Sequence, residues 1–298
     1  MQREALVSLL TDALKADGRP EPQVDCRCCL GTLRWIVLGA RVLTDVGLHP
    51  GMWVAPERFS CVHTVLVPPL LCSSRVYASV LDTVWSHGSV TGADTLHDDT
   101  IAGMAARLLR DAPDRFALLG TSMGGYVALE AVRQAPERVV GLALVSTSAQ
   151  ADSDEQLAAR ARQSLLVEQG HFDQLVDAAF RGVVAERHES DAELLDAWRG
   201  MAATVGPAHF LRQQAATMTR SDSRGVLAGI ACPTFVVHGA EDRLIPVAAG
   251  EEIAAAVPGA TLRLIEEAGH FLFLEQSDKA AAVVEEFLSA VQPSSRAG

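Results

Sequence analysis

The chain has 298 residues, enough for one large α/β domain carrying an insertion, or for two small domains. Its 49% apolar and 21% charged content is ordinary for a globular protein, and a net charge of −12 with scattered basic residues argues against nucleic-acid binding. The acidic surface also repels anionic membranes and polyanionic substrates. Cys26, Cys28 and Cys29 are crowded, but no partner pair of Cys or His sits at zinc-site spacing; with Cys61, Cys72 and Cys232 they read as reduced thiols, not as a metal site.

The first residues, M-Q-R-E-A-L-V-S-L-L-T-D-A-L-K, lack the basic-then-apolar pattern of a signal peptide. The apolar run 35–40 is bracketed by Arg34 and Arg41 and is too short to cross a bilayer. A cytoplasmic protein without membrane association is expected. Residues 4–16 have helical periodicity, with Leu6, Leu9, Leu10, Ala13 and Leu14 on one face, and Gly18 to Pro22 ends that helix. Residues 33–43 and 52–54 can supply a strand or a short helix. The first 60 residues form an extension apart from the rest of the chain.

From residue 62 onward strands and helices alternate. Residues 62–67 read as a strand, 75–85 as a helix and 89–93 as a short strand. Thr100 is placed to cap a helix over 101–110, with Ile101, Met104, Ala105 and Leu108 on one face. A buried strand over 116–119 runs into Gly120-Thr121-Ser122-Met123-Gly124-Gly125, and a helix comes next. Residues 139–146 form another strand, apolar throughout, as expected when both faces are covered. The stretch 149–229 is polar and helical, with helices over 157–167, 172–180, 192–205 and 208–218 and no strand. Strands over 233–237 and 260–265, a helix over 247–257 and a closing helix over 276–291 complete the pattern. Such alternation predicts an α/β protein with a doubly wound, mostly parallel sheet.

The chemistry is concentrated in the order strand, G-x-S-x-G, helix around Ser122. A serine on that turn is held in a strained conformation with its hydroxyl outward, and Gly120 and Gly124 flank it because strand and helix pass too close for a Cβ. The N–H of Met123 points to where a carbonyl oxygen would become negative. Ser122 needs a base, and of nine histidines only His270, in G-H-F-L, lies just past the last strand. The imidazole in turn needs a carboxylate. Asp242 stands just past the preceding strand, in G-A-E-D-R-L-I-P, with Glu241 as an exposed neighbour.

These three segments resemble the nucleophile turn, the acid loop (G-x-x-D-x-x-x-P) and the G-H loop of the α/β-hydrolase fold family, and the order Ser122, Asp242, His270 is the order of that fold. The resemblance covers residues 62–291. It implies an α/β-hydrolase core over 61–148 and 230–298 and an all-helical lid over 149–229. It also implies a first oxyanion donor, the N–H of Leu70, in the loop Pro68-Pro69-Leu70-Leu71, where Pro69 replaces the family's usual glycine. Some members carry the acid one strand earlier; the nearest carboxylate there is Asp152. His238 and His97 read as packed and surface residues, and Tyr126 and Cys72 as neighbours of the site.

The expected activity is a cofactor-free serine hydrolase acting on a small carboxylic ester, thioester or lactone through an acyl-enzyme. C–C bond hydrolysis, perhydrolysis, acyl transfer and a non-catalytic small-molecule receptor on the same fold remain alternatives. The sequence assigns no substrate and no oligomeric state.

Overall fold

The computed structural model describes residues 62–291. The expected helix over 4–16, the elements within 33–54 and the extension over 1–60 lie outside the described residues.

Six strands are described: β1 (Thr64–Val67), β2 (Val90–Gly92), β3 (Phe116–Thr121), β4 (Val139–Val145), β5 (Thr234–Gly239) and β6 (Thr261–Ile265). They form one sheet in the order β2-β1-β3-β4-β5-β6, and every pairing is parallel. All six residues of β3 and all six of β5 are buried, which is why these runs show no polar alternation.

Successive strand residues still point to opposite faces, and each face has its own core. Val65, Val67, Phe116, Leu118, Leu142, Leu144 and Val236 belong to one cluster. Leu66, Ala117, Leu119, Ala143, Val145, Phe235 and Val237 belong to the other.

The expected helix over 75–85 is a 3₁₀ segment (Ser74–Val80) followed by α1 (Leu81–His87), because Val80 leaves the helical region at φ −112°, ψ 1°. Helix α2 (Ile101–Asp111) starts where Thr100 Oγ1 accepts the N–H of Gly103 at 3.0 Å, and it buries the predicted face. Helix α3 (Met123–Gln134) follows β3, which runs two residues beyond its predicted end.

Between β4 and β5 no strand occurs among the described residues. Helix α4 (Asp154–Glu168) begins with a capping box between Ser153 and Gln156. Helix α5 (Phe172–Val183) comes next. Helix α6 (Ala192–Met218) is one span broken at Gly206 (φ 71°, ψ 168°) before Pro207, so the two predicted helices adjoin with nothing but this kink between them. A short α7 (Arg224–Leu227) adds a turn of helix beyond the predicted elements. The chain closes with α8 (Val247–Ala256), α9 (Leu272–Glu275) and α10 (Ser277–Ala290). No described helix is long and apolar enough to cross a membrane.

Candidate active site

The parallel registers bring the loops that carry the candidate residues to one edge. Val67 pairs with Gly120, Thr121 with Val145, and Val145 with Val237. The loops carrying Leu70, Ser122, Ser146, Asp242 and His270 therefore all leave from the carboxyl ends of the strands, where open parallel sheets hold their ligands. Backbone strain gathers at the same edge. Of the four described non-glycine residues with positive φ, Leu71 (63°), Ser122 (53°) and Ser146 (44°) directly follow or lie near strand ends, and Glu267 (67°) lies in the His270 loop.

Ser122 (φ 53°, ψ −115°) caps α3 without a side-chain capping bond. Its N–H donates to Val145 O at 2.9 Å, and Thr147 Oγ1 donates to its carbonyl at 2.8 Å. A Cβ on Gly124 would overlap the carbonyl of Val67, and one on Gly120 would overlap the carbonyl of Gly124. The glycine spacing thus reflects close packing of β3, α3 and the end of β1.

The N–H groups of Leu70 and Met123 donate to no protein atom among the described residues. Leu70's neighbours are occupied: the N–H of Leu71 donates to Gln213 Oε1 at 3.1 Å, and that of Cys72 to Pro69 O at 3.2 Å. Gln213, fully buried in α6, therefore fixes this loop from the helical insertion. Tyr77 ties the two donor-bearing segments together. Its hydroxyl donates to Val67 O at 2.6 Å and lies 2.9 Å from Thr121 Oγ1.

Asp242 and His270 meet directly, with His270 Nδ1 2.8 Å from Asp242 Oδ2. Asp242 Oδ1 accepts the N–H groups of Leu244 and Ile245, each at 2.9 Å. Burial alone would push the Asp242 carboxyl up. The charge of His270 and hydrogen bonds from His238, His270 and Ile245 outweigh it, and they hold the group well below the usual carboxylate range. An ionised carboxylate only accepts, so His270 Nδ1 carries a proton, and whenever the ring is neutral its lone pair lies on Nε2.

His238 is more than a packed strand-end residue. Its Nε2 lies 2.9 Å from the carbonyl of Ile245, which can only accept, so Nε2 is protonated; the same atom is 3.3 Å from Asp242 Oδ2. Its place four residues before Asp242 was the only sequence signal. Asp152, the alternative acid, is engaged by Arg160 at 2.6 Å and Arg220 at 2.5 Å. His97 pairs with Asp94 on the surface, and Tyr126 lies under the guanidinium of Arg220. Cys72 is a buried free thiol whose pKa burial raises. Gly269 has no positive φ; a side chain is excluded there because a Cβ would overlap the backbone of Val184 and Ala185.

Among the described residues no group of three or more His, Cys, Asp or Glu is arranged to hold a metal. A cleft of about 440 Å³ opens at the other end of the strands, lined in part by Arg115, Glu137 and Cys232. It contains none of the groups described above.

A sheet of this order with a strained serine, a histidine and an ionised aspartate at its carboxyl edge defines a class, and the comparisons agree. The family model described as alpha/beta hydrolase family matches residues 46–286, and the chain belongs to that family. It is 28% identical over 254 residues to a pimeloyl-[acyl-carrier protein] methyl ester esterase of Aromatoleum aromaticum, covering 80% of this chain and 94% of that protein. Among solved structures it resembles a thermophilic esterase from Thermogutta terrifontis (TM-score 0.71, 22% identity, 78% of this chain and 92% of the other). It also resembles the enol-lactonase from Burkholderia xenovorans LB400 (TM-score 0.69, 22% identity, 77% and 92%).

Proposed function

We propose that the protein is a serine hydrolase of small carboxylic esters, with Ser122, His270 and Asp242 as its triad. His270 Nε2 takes the proton of Ser122 as Oγ attacks the ester carbonyl. The N–H groups of Leu70 and Met123 receive the oxyanion, each donor contributing roughly 3 kcal/mol to the barrier lowering. The tetrahedral intermediate collapses, the C–O bond to the alcohol breaks, and His270 returns its proton to the leaving oxygen. Water, deprotonated by the same imidazole, then attacks the acyl carbon, the bond to Ser122 Oγ breaks, and His270 returns that proton to Oγ as the acid leaves. Residues 149–229 act as a lid that shapes the pocket and excludes water.

The observation that carries this reading is the His270–Asp242 pair at 2.8 Å, on the same sheet edge as a serine at φ 53°. The esterase relatives support an ester over other acyl substrates, and a lactone is the same chemistry closed into a ring. The test is intact-protein mass after treatment with a fluorophosphonate, combined with turnover of short-chain p-nitrophenyl esters. We expect one adduct on Ser122, absent in His270→Ala, and turnover lost in Ser122→Ala. Ligand binding without adduct or turnover would favour a receptor instead.

A further inference from the structure

Directly behind the His270 loop, α9 ends in a carboxylate that belongs to neither triad nor oxyanion site. Glu275 is 9% exposed and forms no ion pair among the described residues. Its two oxygens accept from three backbone groups. Oε1 takes the N–H of Gly269 at 3.0 Å and of Phe271 at 3.1 Å; Oε2 takes the N–H of Ala185 at 2.7 Å and again that of Gly269 at 3.0 Å. Gly269 and Phe271 are the residues on either side of His270. Ala185 lies in the helical insertion, just past α5.

The seam between loop and insertion is tight elsewhere too. The N–H of Phe271 also donates to Val183 O at 3.1 Å, and the rings of Phe271 and Trp198 lie 5.2 Å apart. A side chain on Gly269 would overlap the backbone of Ala185.

Burying an unpaired carboxylate is costly, and burial raises the Glu275 pKa, partly offset by these N–H groups. A neutral residue would avoid that cost. Yet an amide offers one accepting oxygen, and its NH₂ would face a backbone N–H. Only a carboxylate has acceptors for all three donors at once.

We propose that Glu275 is the positioning residue of the base: one buried carboxylate holds the N–H groups on both sides of His270 and that of Ala185, so the imidazole's placement and the seat of the helical insertion are set by the same group. The inference rests on His270 being the general base of the hydrolase proposed above. Displacing a catalytic group by even 1 Å costs up to about a hundredfold in rate, so a loosened loop is read in kcat before it is read in folding.

The test compares the full chain with Glu275→Gln and Glu275→Asp. Expected for Glu275→Gln is a fall in kcat of about 10- to 100-fold with KM within about twofold, and an equal slowing of fluorophosphonate labelling at Ser122. The low-field proton resonance of the His270–Asp242 hydrogen bond should shift or broaden. Glu275→Asp, which keeps both oxygens on a shorter stem, should fall between. Wild-type kcat, labelling and resonance in a Glu275→Gln protein whose only change is thermal stability would overturn the proposal. So would failure of both variants to fold, which would assign Glu275 to folding. If the wild-type protein neither turns over esters nor labels, the hydrolase reading falls instead, and the resonance still tests the clamp by itself.

Discussion

Asp242 shows how much one side chain's surroundings determine. It is buried, and it accepts from two backbone N–H groups and two imidazoles. Its pKa is depressed, so its contribution to stability is present above the unfolded value of 3.8 and is lost as pH falls through the lower folded value. Asp242→Asn keeps the shape and loses both charge and tautomer control. The expected outcome is a fall in kcat of roughly ten-thousandfold at neutral pH. The stability advantage of the wild type over this variant should also shrink as pH drops below about 4. Urea unfolding of both proteins at several pH values measures it; a difference that stays constant from pH 6 to pH 3 would refute the account.

The element that matters most is the β3–α3 turn. Ser122 can hold its strained backbone only because helix and strand approach within reach of a glycine on each side. Gly124→Ala drives a methyl into the carbonyl of Val67, at the start of the Leu70 loop. Overpacking of this kind costs about 1–3 kcal/mol, and for a domain of this size it should lower the thermal midpoint by about 3–10 °C. Ester turnover should fall with it, because relief of the clash moves either Ser122 or the Leu70 loop. Calorimetry showing an unchanged midpoint would mean that the approach is looser than the contacts indicate. Helix α6 has a comparable reach: through Gln213 it supports the N–H of Leu71 from a position 142 residues later in the chain.

At the scale of the molecule, the helical insertion is fastened at both of its ends. Asp152 near its start is 1% exposed and pairs with Arg220 near its end, itself 6% exposed. Arg220 also donates to Gln150 O at 2.8 Å and stacks 4.0 Å over Tyr126, one turn after Ser122. The N–H of Ser223 donates to Ala149 O at 2.7 Å. Removing one member of a buried pair leaves a charge without compensation, so Asp152→Ala should cost about 3–5 kcal/mol. Denaturant unfolding reads this directly, and a loss under about 1 kcal/mol would place the pair among the weak surface bridges. Through Arg220 on Tyr126 and Glu275 on Ala185, the insertion is tied both to α3 and to the His270 loop.

Strand and helix order, the family and the three triad candidates were legible in the sequence because they depend on local signals. Apolar runs mark buried strands, and glycines mark close approach around Ser122. His270 and Asp242 stand out because each follows a strand. The partners of these groups were not legible. His238 on Asp242, Tyr77 between Val67 and Thr121, Gln213 on Leu71 and Glu275 behind His270 are ordinary polar residues until folding buries them. Gln213 reaches Leu71 from 142 residues away; His238 and Glu275 stand within six residues of their targets, yet nothing in that spacing says that the side chain turns back onto the neighbouring loop. A hydrogen bond between distant segments depends on packing, and packing exists only in three dimensions; that is why the tertiary structure alone decided which polar side chains hold the site in place.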